Sequence, residues 1–134
     1  MLREATTADA DVIQALMRSV PGFWDEGWRH DVLERALVLS GTVALVHLDG
    51  ERIDGFACAH DLGFRAYLSE LVVSPEARQL GVGARLLAEV ERRLAARGCS
   101  LVIADVWRDA EGFYRAQGWV PPAAVLLRKH LAAR

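Results

Sequence analysis

Three β-prone runs, TVALVHL, RIDGFACAH and YLSELVV, follow one another in the middle of the chain with no helical stretch between them. Asp49-Gly50-Glu51 separates the first two, and an Asp-Gly pair in that setting signals a hairpin because both residues tolerate positive φ. Gly63-Phe64-Arg65 makes the second tight connection. Three consecutive antiparallel strands result. This meander argues against a purely doubly wound nucleotide fold, in which a helix intervenes between every successive pair of strands.

The flanks supply helices. LREAT reads as a short first strand, and Thr6 with Asp9 three residues on is a helix-start signal for a segment whose Ile13, Leu16, Met17 and Val20 form one apolar stripe. After Pro21-Gly22 a second helix is expected from about Glu26 to Ser40, with Leu33, Ala36 and Leu37 on one face and Gly41 as its stop. Beyond the meander, Val82, Leu86, Val90 and Leu94 recur every four residues, with Glu89 and Arg93 as an i, i+4 pair and Gly98 as a cap. LVIADV then reads as a strand covered on both faces, Asp109 opens a short helix closed by Gly118, and AAVLLRKHL reads as a last strand. The order is β, α, α, β, β, β, α, β, α, β.

With 134 residues, 52% of them hydrophobic and 25% charged, the chain fits one domain, residues 1–134, around one core. A net charge of -2 gives no general attraction to nucleic acid. Arg3, Glu4, Asp9 and Asp11 stand where an export signal needs an apolar run, and ALVLSGTVALVHL is too short to span a bilayer, so a cytoplasmic, non-membrane protein is expected. In that reducing setting Cys58 and Cys99 are expected as buried thiols. His30, His47, His60 and His130 lack metal-ligand spacing, so no metal is expected.

RQLGVGARLL places two glycines at the mouth of the third helix. A dinucleotide fingerprint fails because its third glycine position is Leu86, and a phosphate loop of the Walker type fails because no glycine is followed by lysine. The physical logic survives: N–H groups from Leu80 to Ala84 at a helix N-terminus favour an anion, and Arg78 and Arg85 can add charge. A helix start that needs glycine only for packing is the other reading of these residues.

The run ELVVSPEARQLGVGARLL resembles the acetyl-CoA motif of the GNAT superfamily of N-acetyltransferases, R/Q-x-x-G-x-G/A, filled here by Arg78, Gly81 and Gly83. AEGFYRAQGWV is similar to the family's second motif through Phe113, Tyr114, Gly118 and Trp119. The resemblance implies an α/β fold with a mixed, largely antiparallel central sheet, helices on both faces and a splay between the fourth and fifth strands. It also implies that the diphosphate of acetyl-CoA lies on Arg78, Gln79, Leu80, Gly81, Val82, Gly83 and Ala84, and that the pantetheine arm lies along Leu71, Val72 and Val73. Seven residues before the tyrosine the family often has asparagine; this chain has Trp107.

The implied activity is transfer of acetyl to a primary amine, on a small molecule or a peptide, by direct attack on the thioester. The chain fits that, having no G-x-S-x-G elbow. Glu70, among Leu68 and Val72, is the candidate base, and Tyr114 the candidate proton donor to the departing thiolate. A bulge near Leu71 to Val73 would free an N–H for the thioester oxygen. In PGFWDEGWRHD, Trp24 and Trp28, with Phe23, Asp25, Glu26 and Asp31, are expected either to hold the cationic amine or to seal the core edge and cap a helix. His60 and Asp61 are further acceptor-side candidates. A non-catalytic acetyl-CoA sensor is the alternative function, and a homodimer remains open as the assembly.

Overall fold

In the computed structural model, which describes residues 1–132, the meander forms as expected and organises a five-stranded sheet in the order β1-β2-β3-β4-β5. The strands are β1 (Leu2–Glu4), β2 (Ala44–Asp49), β3 (Arg52–Asp61), β4 (Ala66–Val73) and β5 (Val102–Ala104). All neighbours are antiparallel except β4 and β5, which run parallel. At the β2–β3 turn Asp49 pairs with Arg52, and of the two residues between them only Gly50 has positive φ (64°). That is the pattern of a type II′ turn, which needs glycine only at its first central position.

Helices cover both faces. α1 (Ala10–Arg18) and α2 (Val32–Ser40) bury Ile13, Leu16, Met17, Leu33 and Leu37 against Val46, Phe56, Cys58 and Val72. The α1 entry is fixed by Asp9, whose carboxylate accepts the Thr6 N–H at 2.9 Å and both ends of the Arg3 guanidinium at 2.8 and 2.9 Å. On the opposite face α3 (Val82–Ala96) buries Val82, Leu86, Val90 and Leu94, the expected stripe. Arg93 donates to Glu89 at 2.8 Å and also to Glu4 and the Thr42 carbonyl, tying α3 to β1 and to the entry of β2.

The second helix starts at Val32 and not near Glu26. The acids ahead of it are consumed locally: Asp25 accepts the Gly27 N–H at 2.8 Å, and Glu26 pairs with Arg18 at 2.6 Å. A turn bonded from the Trp28 N–H to the Asp25 carbonyl then replaces the first expected helical turns.

Residues 1–104 form one compact unit, and a second begins at Asp105. The second contains α4 (Glu111–Ala116), ended by Gly118 at φ 92°. AAVLLRKHL forms no strand among the described residues, and Val125 and Leu127 are exposed. Alternation marks a segment able to become a strand, but it becomes one only where a neighbour takes up its backbone groups. Among the described residues no helix is long and apolar enough to cross a membrane. Cys58 is a buried free thiol, whereas Cys99 is only half-buried.

Gly55 on β3 marks the close approach of α3: a Cβ there would stand 2.8 Å from both Leu86 Cδ1 and Val82 Cγ1. Gly55→Val is therefore expected to destabilise the protein by about 1–3 kcal/mol through overpacking, read as a lowered midpoint in urea unfolding.

Candidate active site

One inserted residue shapes the site. Cys58 on β3 faces Glu70 on β4 while Ala59 faces Leu68, so Ser69 is an extra residue, a β-bulge. Without it Ser69 and Glu70 would point to opposite faces of the sheet; both instead line one cleft under α1 and α2. The bulge lies two residues earlier than the expected position between Leu71 and Val73.

Its effect nevertheless reaches those residues. The Ser74 N–H bonds to the Asp54 carbonyl on β3 at 2.8 Å. Counting back by alternation, the N–H of Val72 and of Glu70 also face β3, and those of Leu71 and Val73 face the other way. On that other side β5 pairs only with Ala66, Tyr67 and Leu68 and ends at Ala104. Among the described residues no strand pairs with β4 at Leu71 and Val73, beyond the last β4–β5 partners, which is where the splay is expected.

The cleft has a volume of about 240 Å³. Its floor is Phe56, Cys58 and His60 of β3 with Ser69 and Glu70; its roof is α2 and the connection before it, including Trp24 and Trp28. The two tryptophans stand edge to face at 5.1 Å and pack against the core, the sealing role expected of them, while also lining the cleft. The expected acids do not line the cleft: Asp25 and Glu26 are engaged as described, and Asp31 pairs with Arg35 at 2.8 Å and Arg29 at 3.7 Å. Asp61 accepts the Gly63 N–H in the β3–β4 turn.

Among the described residues Glu70 is the only carboxylate lining the cleft, and no donor bonds to it. Burial pushes its pKa up to about 7. Beside it, Ser69 Oγ donates to the Cys58 carbonyl at 3.1 Å, leaving a lone pair for the His60 Nε2–H, also at 3.1 Å. Burial lowers the His60 pKa and raises that of Cys58, so at neutral pH both stay uncharged. His60 and Ser69 therefore pin the bulge as neutral partners. Sequence reasoning overlooked Ser69, Cys58, Arg29 and Arg35 as lining residues; the first two become visible only once the bulge sets the register.

The glycine loop lies between β4 and α3. Gln79 and Gly81 both take positive φ (67° and 81°), and Gly81 is the N-cap of α3 without a side-chain cap. The first intrahelical bond runs from the Arg85 N–H to the Gly81 carbonyl at 3.1 Å, so the N–H groups of Val82, Gly83 and Ala84 precede the helical ladder. Arg85 braces this loop: it donates to the Leu80 carbonyl at 3.2 Å and lies 3.4 Å from His47 Nε2. The other nitrogen of that buried histidine meets buried Asp54 at 2.5 Å. Asp54 is itself the extra residue of a second bulge, between His47 and Leu48.

In the second unit Tyr114 lies on α4, edge to face with Phe113 at 5.2 Å and Trp119 at 5.3 Å, and its carbonyl accepts the Trp119 N–H at 3.1 Å. Trp107 precedes the turn that leads into α4 and is half exposed. Among the described residues no group of three His, Cys, Asp or Glu side chains is placed to hold a metal ion.

A cleft with a buried carboxylate, a strand edge without a partner strand and an unladdered helix start stand in the first unit, and the family comparison assigns the class. The model of the GNAT acetyltransferase family matches residues 10–119, and the chain belongs to that family. It is an acetyl-CoA-dependent N-acetyltransferase of that class. No curated protein matches the sequence. Solved structures share the fold at low identity. A transcriptional regulator from Bacillus halodurans C-125 superposes with TM-score 0.78 at 18% identity, covering 98% of this chain and 99% of the other. AAC(6')-Iy in complex with the bisubstrate analogue CoA-S-monomethyl-acetylneamine gives 0.77 at 18%, covering 98% of each. The aminoglycoside 6'-N-acetyltransferase AAC(6')-IG from Acinetobacter haemolyticus gives 0.75 at 15%, covering 99% of each.

The raised Glu70 pKa has a consequence for stability. Between about pH 4.5 and 7 the folded chain holds a proton that the unfolded chain has released, so folding stability contributed at this site falls as pH rises through that window. Glu70→Gln, which cannot ionise, is expected to melt higher than the unsubstituted protein at pH 8 and nearly equally at pH 4.5, as read by thermal unfolding.

Proposed function

We propose that residues 1–134 work as a single domain that moves an acetyl group from acetyl-CoA to a primary amine, the amine attacking the thioester directly. The observation that carries this reading is Glu70: an unpartnered carboxylate with a pKa of about 7 in a cleft beside the open edge of β4. The family match spans both compact units, which supports their acting together.

The chain's own groups fit the donor. Consecutive N–H groups at Val82, Gly83 and Ala84, with Gln79, Leu80 and Gly81 leading into them, offer an anion site for a diphosphate, and the Arg78 side chain adds positive charge. The outward N–H groups of Leu71 and Val73 suit the carbonyls of an extended pantetheine arm, while the buried Val72 side chain holds the strand against the core. Bound there, acetyl-CoA supplies an activated acyl group.

Glu70 prepares the attacking amine. A lysine-like amine, pKa ~10.4, is neutral in roughly one molecule in 2,500 at pH 7, so a base poised near neutrality accelerates the step most for such acceptors. The carboxylate takes the proton directly or through a water as the C–N bond forms. Tyr114 gives its phenolic proton to the sulfur as the C–S bond breaks; a thiol near ~8.5 is the stronger acid of the two, so this transfer needs the developing charge of the transition state to draw it. A backbone N–H at Leu71 or Val73 serves the thioester oxygen.

Two kinetic outcomes are expected with a reactive amine. In the unsubstituted protein kcat/KM falls about tenfold per pH unit below about pH 7, and Glu70→Gln lowers kcat/KM at pH 8 by roughly 10²–10⁴ and moves the acidic limb up to the amine's own titration. Tyr114→Phe lowers kcat by roughly 10²–10⁴ with little change in acetyl-CoA affinity; unchanged turnover in a chemistry-limited reaction would remove Tyr114 from the mechanism.

A further inference from the structure

The charges around the cleft are unequal. Glu70 is its one carboxylate, whereas Arg29 and Arg35 both line it. The two guanidiniums share a single counter-charge, Asp31, which does not line the cleft, and each meets that carboxylate through Nε, at 3.7 Å and 2.8 Å. Among the described residues neither guanidinium has another partner, so both forked Nη ends remain for a ligand. Both side chains are well exposed, 66% and 57%, and so reachable from solvent.

A polycationic acceptor fits this arrangement badly. One of its ammonium groups would satisfy Glu70, and the next would meet two arginines with one acid between them. An apolar body, by contrast, is provided for: Trp24 and Trp28 line the same cleft together with Val32 and Leu33. A guanidinium fork matches the two oxygens of a carboxylate or phosphonate.

Resting on the amine-transfer reading, we propose that the acceptor is a small monoamine with an apolar body and an anionic group at its far end. Glu70 receives the amine, the tryptophans flank the body, and Arg29 and Arg35 take the anion. The two arginines are specificity determinants that act on binding and not on the acyl transfer.

The test compares 4-(2-aminoethyl)benzoate and the corresponding phosphonate with uncharged phenethylamine and with spermidine. Two readouts are taken: CoA thiol release, and amine binding by quenching of the cleft tryptophans in the presence of CoA. The expected result is that either anionic amine exceeds phenethylamine by about 3–10-fold in kcat/KM and in affinity, with spermidine weakest. In the double variant Arg29→Gln, Arg35→Gln the preference shrinks to near one, through KM and not kcat. Asp31→Asn, which removes the competing carboxylate, enlarges it. Preference for spermidine, or a ratio that survives the double variant, overturns the proposal. Acetyl-CoA binding without any amine-dependent thiol release would instead overturn the transfer reading, while the fluorescence ratio still decides the acceptor class.

Discussion

A single extra residue in β4 is the constraint on which the rest of the site depends. An unbroken strand alternates faces, so Ser69 and Glu70 would be divided between α3 and α1–α2. The bulge turns both under α1 and α2 and reverses the alternation of everything beyond. The core residue Val72 thereby faces Phe56, and the amides of Leu71 and Val73 face the edge that β5 leaves. Glu70 is desolvated by the same geometry, which is why its pKa rises toward neutrality. A bulge is a local loss of pairing, and here its hydrogen bonds are made good by His60 and Ser69, which stitch it to the Cys58 carbonyl.

The sheet divides its work between faces. Toward α1 and α2 it presents the cleft, with aromatic and aliphatic walls and one titratable group. Toward α3 it supports the glycine loop, through a second bulge at Asp54 that brings a carboxylate to His47 and leaves the other ring nitrogen facing Arg85. The arginine adjacent to the glycines is thus committed to its own loop, bonding the Leu80 carbonyl, and serves as a brace for the backbone. Gly55 lets this assembly close, because α3 could not sit so near β3 with a side chain between them.

The connection between α1 and α2 shows how local pairing redirects charge. Its acids read as a cationic-amine wall in sequence, yet every one is taken up by a neighbour: Asp25 by a backbone amide, Glu26 by Arg18, Asp31 by Arg29 and Arg35. What remains facing the cleft is the opposite sign. Arg18, while bound to Glu26, also covers one face of Trp24 at 4.9 Å, so that ring offers the cleft its remaining surface.

Much was legible in the sequence. The meander, the α3 stripe, the Thr6–Asp9 start and the Glu89–Arg93 pair are local patterns, set by periodicities and spacings that the chain carries on its own. The left-handed turn at Gly81 was legible too, because backbone freedom is a property of residue type. The α2 start, the absence of a strand over AAVLLRKHL and the bulge at Ser69 were not. Each depends on which distant group meets a backbone or side-chain atom: an arginine for Glu26, a neighbouring strand for the tail, β3 for the register of β4. Sequence by itself therefore determined which segments can be helix or strand and which residues can carry chemistry. Only tertiary structure decided which face Glu70 occupies, how far water is kept from it and what sign of charge surrounds it, because desolvation and ion pairing are set by neighbours remote along the chain.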